Sequence, residues 1–368
     1  MSTVVTRAGD VAAGAASELA PIAPASTVAF DWIVAVLALG WLGGLFLDGW
    51  AHTHGRVDDT FFTPWHAVLY AGYVVFAALL VGRAAWAIER GSPWRAALPP
   101  GYGLALAGVA MWVVGGPFDL LWHSVFGFEA NVEALLSPAH VVLAVGAGLM
   151  SAAPLRAALR RPPRRWSAEV PMALSLTCVV SNLTFFTQIA HPLSNLWAAG
   201  RRPVSGAVTE LGIVSFLLTA LILTAPVLFL LRHGRLPPGA VTIVITLNSV
   251  LMGVVFGHGP YPLAAVIALS LGAVAADVLR AALRPAASRP VAFRWFAAAL
   301  PVLLYLAYFA ASRSRRASAT RHTCGWASSS SRVSSAGSRR IWCWRHASNG
   351  PRSPRERERN AGIPRVVV

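Results

Sequence analysis

Asp48-Gly-Trp-Ala-His52-Thr-His54-Gly-Arg-Val-Asp58-Asp59-Thr-Phe-Phe-Thr63-Pro64-Trp-His66 is a polar island between two apolar runs. One run ends at Asp48 and the next begins after Pro64. Asp48 and His52 stand at i and i+4, so on a helix they share a face. Thr63 reads as an N-cap and Pro64 as the first helical residue, which puts His66 in the first turn of the next helix. The spacing predicts a helix–loop–helix corner at which one carboxylate and two imidazoles converge.

The pattern recurs further along. Asp119-Leu-Leu-Trp-His123 is followed, after a loop, by Ser137-Pro138-Ala-His140. The two copies are offset by 71 residues at the aspartate and by 74 at the last histidine. A duplicated D-x3-H … [ST]-P-x-H is far more specific than any single histidine. Neutral imidazoles with one carboxylate suit copper or zinc, and non-haem iron accepts the same set. The competing reading is a hydrogen-bonded corner in which each aspartate merely holds a histidine. His54, Asp58 and Asp59 read either as groups that orient the ligands or as a solvated loop. Glu129 and Glu133 read as solvated. His191 and His258, each beside Pro or Gly at a helix end, read first as structural, as do Asn182, Gln188 and Glu210. Trp32, Trp41, Trp50, Trp65, Trp112 and Trp122 read as interface anchors or packing residues.

The stretch Asp48-Gly-Trp-Ala-His52 … Asp59-Thr-Phe-Phe-Thr63-Pro64-Trp-His66 resembles the metal-binding segment of a membrane subunit found in the particulate methane and ammonia monooxygenases. In that family an Asp-x3-His and a following Thr-Pro-x-His bind copper within the membrane, and a second cluster pairs an Asn-x3-His with a later His. Asp119, His123 and His140 stand at a similar separation, with Asp119 where the family has Asn. The resemblance covers roughly residues 30 to 150. It implies copper sites at Asp48, His52, His66 and at Asp119, His123, His140. It also implies an oxygen-activating role within an assembly of membrane subunits.

The chain has 368 residues, of which 56% are hydrophobic and 12% charged. This is the composition of an integral membrane protein. Nine apolar stretches are long enough to span a bilayer, at about 28–50, 64–88, 101–123, 138–159, 168–190, 207–231, 239–258, 261–283 and 292–311. Their continuous apolarity predicts an all-α transmembrane bundle and excludes a barrel. The first four helices are expected as two parallel helix–loop–helix repeats. Residues 1–27, rich in Ala, Gly, Pro and Ser, are expected to form a disordered arm. Residues 28–165 form the duplicated region and 166–311 the accessory helices.

All 31 basic residues are arginine and the net charge is +16. Residues 312–368 hold 13 Arg and 2 Glu, which leaves only +5 for the rest. That tail reads as disordered and also fits a reading-frame error in a GC-rich gene. With the tail set aside, nothing supports nucleic-acid binding. The three cysteines have no metal-ligand spacing. No phosphate loop, nucleophile elbow or dinucleotide fingerprint is present in a credible strand context.

Arginines cluster in alternate loops, at 83–95, 156–165, 232–235 and 280–294. By the positive-inside trend these loops and the N-terminus are cytoplasmic and both Asp–His corners face outward at the plasma membrane. The functional expectation is an outer-facing copper site in one member of a membrane monooxygenase assembly, with partner subunits or copies of itself. The rivals are a non-enzymatic metal-binding or metal-handling membrane protein, and a structural one. The bilayer is the partner common to all three.

Overall fold

The computed structural model describes residues 25–56, 61–127, 135–193, 206–255 and 261–329, with side chains at 207, 208, 254, 261 and 313–329 left aside. The described residues are helical and form no sheet. In chain order the helices are α1 (Val28–Thr53), α2 (Pro64–Glu89), α3 (Gly103–Phe126), α4 (Pro138–Ser151), α5 (Ala153–Leu159), α6 (Trp166–Phe186), α7 (Gly206–Arg232), α8 (Ala240–Val250), α9 (Tyr261–Leu283) and α10 (Pro290–Ser329). Seven are long and apolar enough to cross a membrane, or eight if α4 and α5 count as one bent span. At 26 residues α1 and α2 are each about 39 Å long, enough to cross a hydrocarbon core of about 30 Å. The protein is an integral helical membrane protein.

The seventh expected span, 239–258, is not a full-length helix among the described residues. It is a shorter apolar helix that passes into a π turn at Leu251–Val255. The chain divides by its contacts at Ser318. Helix α10 continues to Ser329, past the expected start of the tail at 312. The remainder of that tail, and the N-terminal arm up to residue 24, lie outside the described residues.

Three helix starts, those of α1, α2 and α4, carry a side-chain cap. Thr27 Oγ1 accepts from Phe30 N, Thr63 Oγ1 from His66 N and Ser137 Oγ from His140 N. Pro64 and Pro138 occupy the first helical positions, where a missing N–H costs nothing. The 41° break between α4 and α5 comes at Pro154. Ser175 of α6 relieves it, accepting from Leu155 N and donating to the Ser151 carbonyl.

Helices α3 and α4 approach backbone to backbone. A Cβ on Gly108 would stand 2.6 Å from the Gly146 carbonyl oxygen. Small residues at such crossings let transmembrane helices gain contact that lipid cannot supply. Over the contact lies an aromatic cluster, with Trp41 edge-on to Trp112 at 4.8 Å and Tyr73 stacked on Trp112 at 5.2 Å. The buried core runs from here through α6 and α8 to Phe296 and Tyr308 of α10.

At the end of the bundle away from the Asp–His corners, a buried ionic network ties α1 to α6. Asp31 accepts from Tyr102 Oη at 2.7 Å and from Arg161 Nη1 at 2.6 Å. Arg161 also donates to the Ala168 carbonyl, and Arg235 donates to the carbonyls of Arg161 and Ala158. Breaking a buried pair on one side strands the other charge, at about 3–5 kcal/mol. Asp31→Asn is therefore expected to lower the thermal midpoint in detergent, and Asp31→Leu with Arg161→Met to recover much of the loss. Equal melting of wild type and Asp31→Asn would remove the network from the account.

Candidate metal centre

Helix geometry delivers the six predicted ligands as two triads. Asp48 and His52 are on the last turns of α1, and His66 is on the first turn of α2. Asp119 and His123 close α3, and His140 opens α4. In each triad the donor atoms all lie within 4.8 Å of one another. His52 Nε2 and His66 Nε2 stand 3.8 and 3.5 Å from Asp48 Oδ2. His123 Nε2 and His140 Nε2 stand 3.4 and 3.3 Å from Asp119 Oδ1. The ring centroids are 5.7 Å apart in both His pairs. The duplication in sequence is thus a duplication in geometry.

These separations bear on chemistry. A direct N–H···O bond brings nitrogen and oxygen to about 2.7–3.2 Å. Two ligands at 2.0–2.2 Å from one tetrahedral ion stand about 3.3–3.6 Å apart. The observed pairs, at 3.3–3.8 Å, fit the second geometry better than the first. Asp119 Oδ1 faces two imidazole nitrogens yet makes no hydrogen bond, and Asp48 Oδ1 is likewise buried without a partner. A buried carboxylate oxygen left without a donor is costly and calls for a cation or proton.

In His123 and His66 the other ring nitrogen is engaged elsewhere. His123 Nδ1 lies 3.2 Å from the Gly127 carbonyl, which can only accept, so Nδ1 carries the proton and Nε2 offers its lone pair to the triad. His66 Nδ1 lies 3.3 Å from Thr63 Oγ1, the same oxygen that caps α2. Thr63 thus starts the helix and orients the His66 ring. Phe61 stacks on the His66 ring at 5.0 Å and covers it. The aspartates are the buried members. His52 and His140 are the more open imidazoles, with side chains 41% and 24% exposed. The field of Asp119 acts on Asp48, His52 and His66, so the two triads lie within electrostatic reach of each other. Tyr70, one turn beyond His66, feels both carboxylates and packs against Gly116, three residues before Asp119.

The other residues named from sequence fall outside the triads. His54 is exposed at the C-cap of α1, stacks on Trp50 and bonds to its carbonyl through Nδ1. His191 is buried, and its Nδ1 accepts from Leu193 N. Burial pushes its pKa down to about 3, so the ring is neutral and serves the local turn. Asn182 donates to the Ala144 carbonyl, joining α6 to α4, and Glu210 is exposed. Trp41 and Trp112 are core residues rather than interface anchors. Asp58, Asp59, Glu129, Glu133 and His258 lie outside the described residues. Tyr70 carried no sequence signal, because one aromatic residue in an apolar helix looks like packing.

Comparison of the chain with protein-family models, with curated proteins and with solved structures gives no match. The class is therefore defined by fold and site alone: a helical membrane protein with, among the described residues, two Asp/His groups that could hold metal ions.

The ligand roles predict a graded series. His66→Ala removes a ligand and is expected to abolish retention at the first triad. Thr63→Ala removes an orienting bond and a helix cap and should weaken retention about tenfold, the low end for outer-shell partners. His54→Ala should leave retention unchanged. Metal titration of the three variants checks the order, and a His54→Ala loss as large as that of His66→Ala would contradict it.

Proposed function

We propose that this protein is a membrane metalloprotein that binds copper at Asp48, His52, His66 and at Asp119, His123, His140, acting as one subunit of a copper-dependent, monooxygenase-like assembly. The observation that carries the metal reading is the orphaned, buried Asp119 Oδ1, standing 3.3–3.4 Å from two imidazole nitrogens without a hydrogen bond. Copper is preferred to zinc or iron because residues 48–66 resemble the metal-binding segment of the methane and ammonia monooxygenases. That resemblance also supports partner membrane subunits. Copper held there would supply a means of activating dioxygen beside an apolar substrate drawn from the bilayer.

The chain's own residues fit that role in definite ways. Each aspartate places one anion in a site walled by apolar helices, which offsets cation charge that the membrane would otherwise penalise. Phe61 and the aromatic cluster keep the inner side of the first triad dry, and His52 and His140 leave an open flank. The hydrogen-bonded-corner reading is disfavoured by the long N···O separations. A conduit for ions through the bundle is disfavoured as well. His233, the histidine near the opposite end, is exposed and bonded to the Phe229 carbonyl.

Purified wild-type protein loaded with Cu(I) and washed is expected to hold about two ions per chain, one for each triad. The Asp48→Ala/His52→Ala/His66→Ala variant should hold one, and the variant with all six ligands changed none. Protons compete for the imidazoles, so affinity is highest with the rings neutral and should fall on acidification. Copper content that ignores all six substitutions would reject the assignment.

The orientation we propose, triads outward and N-terminus cytoplasmic, rests on the arginine distribution. Labelling of Gly55→Cys from outside and of Gly91→Cys only after permeabilisation is the expected pattern. The reverse pattern overturns it.

A further inference from the structure

At the end of α2 remote from the triads, two guanidinium groups share one indole. Arg83 Cζ lies 4.8 Å and Arg90 Cζ 4.2 Å from the centroid of the Trp86 ring, which is 47% exposed. One loop further on, Arg95 lies over Trp94, 71% exposed, at 5.0 Å. Over this stretch three arginines stand against one acid, Glu89. The arginines packed inside this end of the bundle are treated differently. Arg161 pairs with Asp31, Arg235 with Glu169 and Arg280 with Asp277. No described carboxylate pairs with Arg83 or Arg90, and Arg83 Nη1 is buried without a hydrogen-bond partner.

Depth sharpens the point. Helix α2 is about 39 Å long against a hydrocarbon core of about 30 Å, and Arg83 sits six residues, or about 9 Å, before its last residue. With the helix centred, the Arg83 backbone lies inside the hydrocarbon boundary and its head reaches outward along the helix to the headgroups. Trp86 falls at the boundary, where indoles settle. Around it the helix exposes Val81 and Ile88, a surface for acyl chains. Cation–π stacking holds the two guanidinium groups on one platform without neutralising them. Planar guanidinium forks suit phosphate oxygens.

We infer that Arg83, Trp86 and Arg90 form a binding site for the phosphate of an anionic phospholipid. The lipid headgroup lies between the two guanidinium groups and its chains run along the exposed face of α2. The site is independent of the metal reading.

Native mass spectrometry of protein extracted from phosphatidylcholine vesicles containing phosphatidylglycerol tests it. Wild type is expected to retain phosphatidylglycerol at one site that Arg83→Gln/Arg90→Gln loses, with affinity there lower by roughly thirty-fold, at about one kcal/mol per arginine. Arg284→Gln/Arg294→Gln removes the same charge elsewhere at this end and should leave that site intact. Arg90→Gln alone, at an exposed helix cap, should weaken it in part without a folding defect. Equal loss in both double variants would mean diffuse attraction, and no loss in either would mean no site. Displacement of the lipid by soluble glycerol phosphate at equal concentration would show a free-phosphate site instead. Each of these results overturns the inference.

Discussion

Two carboxylates held at the mouth of an apolar bundle, with nothing donating to an inner oxygen, set the terms for the rest of this structure. Asp48 and Asp119 are buried, and each keeps one oxygen free of hydrogen bonds. An ionised carboxylate in such surroundings is tolerated only beside compensating charge. The fold meets one buried acid at the opposite end in the ordinary way, with Arg161 and Tyr102 on Asp31. At the corners the described residues supply imidazoles, at distances too long for good hydrogen bonds. That contrast within one molecule is what supports the proposal that the corners hold a cation.

The triads depend on elementary helix rules. The i, i+4 spacing stacks Asp over His at the end of one helix. A Thr-Pro or Ser-Pro start returns the second histidine at the head of the next. The cap then does a second task in the first copy, where Thr63 holds both a backbone N–H and a ring nitrogen of His66. Close contact at Gly108 and Gly146 sets how near α3 and α4 stand, and so how near His140 comes to Asp119. The aromatic cluster of Trp41, Tyr73 and Trp112 ties that pair of helices to α1 and α2, keeping both triads in one electrostatic neighbourhood.

Much of this was legible in the sequence, because periodicity and caps are local. The all-helical membrane class followed from continuous apolar runs, and the meeting of the six Asp and His residues from spacing alone. What stayed hidden was long-range. Asp31 and Arg161 are 130 residues apart, and nothing in either neighbourhood announces the other. Arg161 reads from sequence as one more cytoplasmic loop charge, whereas the fold buries it. Residues 239–258 are apolar enough to suggest a span, but hydropathy cannot show that the helix shortens into a π turn. The stacking of Arg83 and Arg90 on Trp86 needs helix phase and rotamers together, which a charge count does not convey.

The central claim is that the long Asp–His separations are metal geometry. An anomalous difference map collected at the copper edge, from crystals of copper-loaded protein, tests it most directly. The account predicts two peaks, one within each triad, with His Nε2 and carboxylate oxygen at about 2.0–2.2 Å from each. Copper elsewhere, with both triads contracted to direct Asp–His hydrogen bonds of about 2.7–3.0 Å, would contradict it.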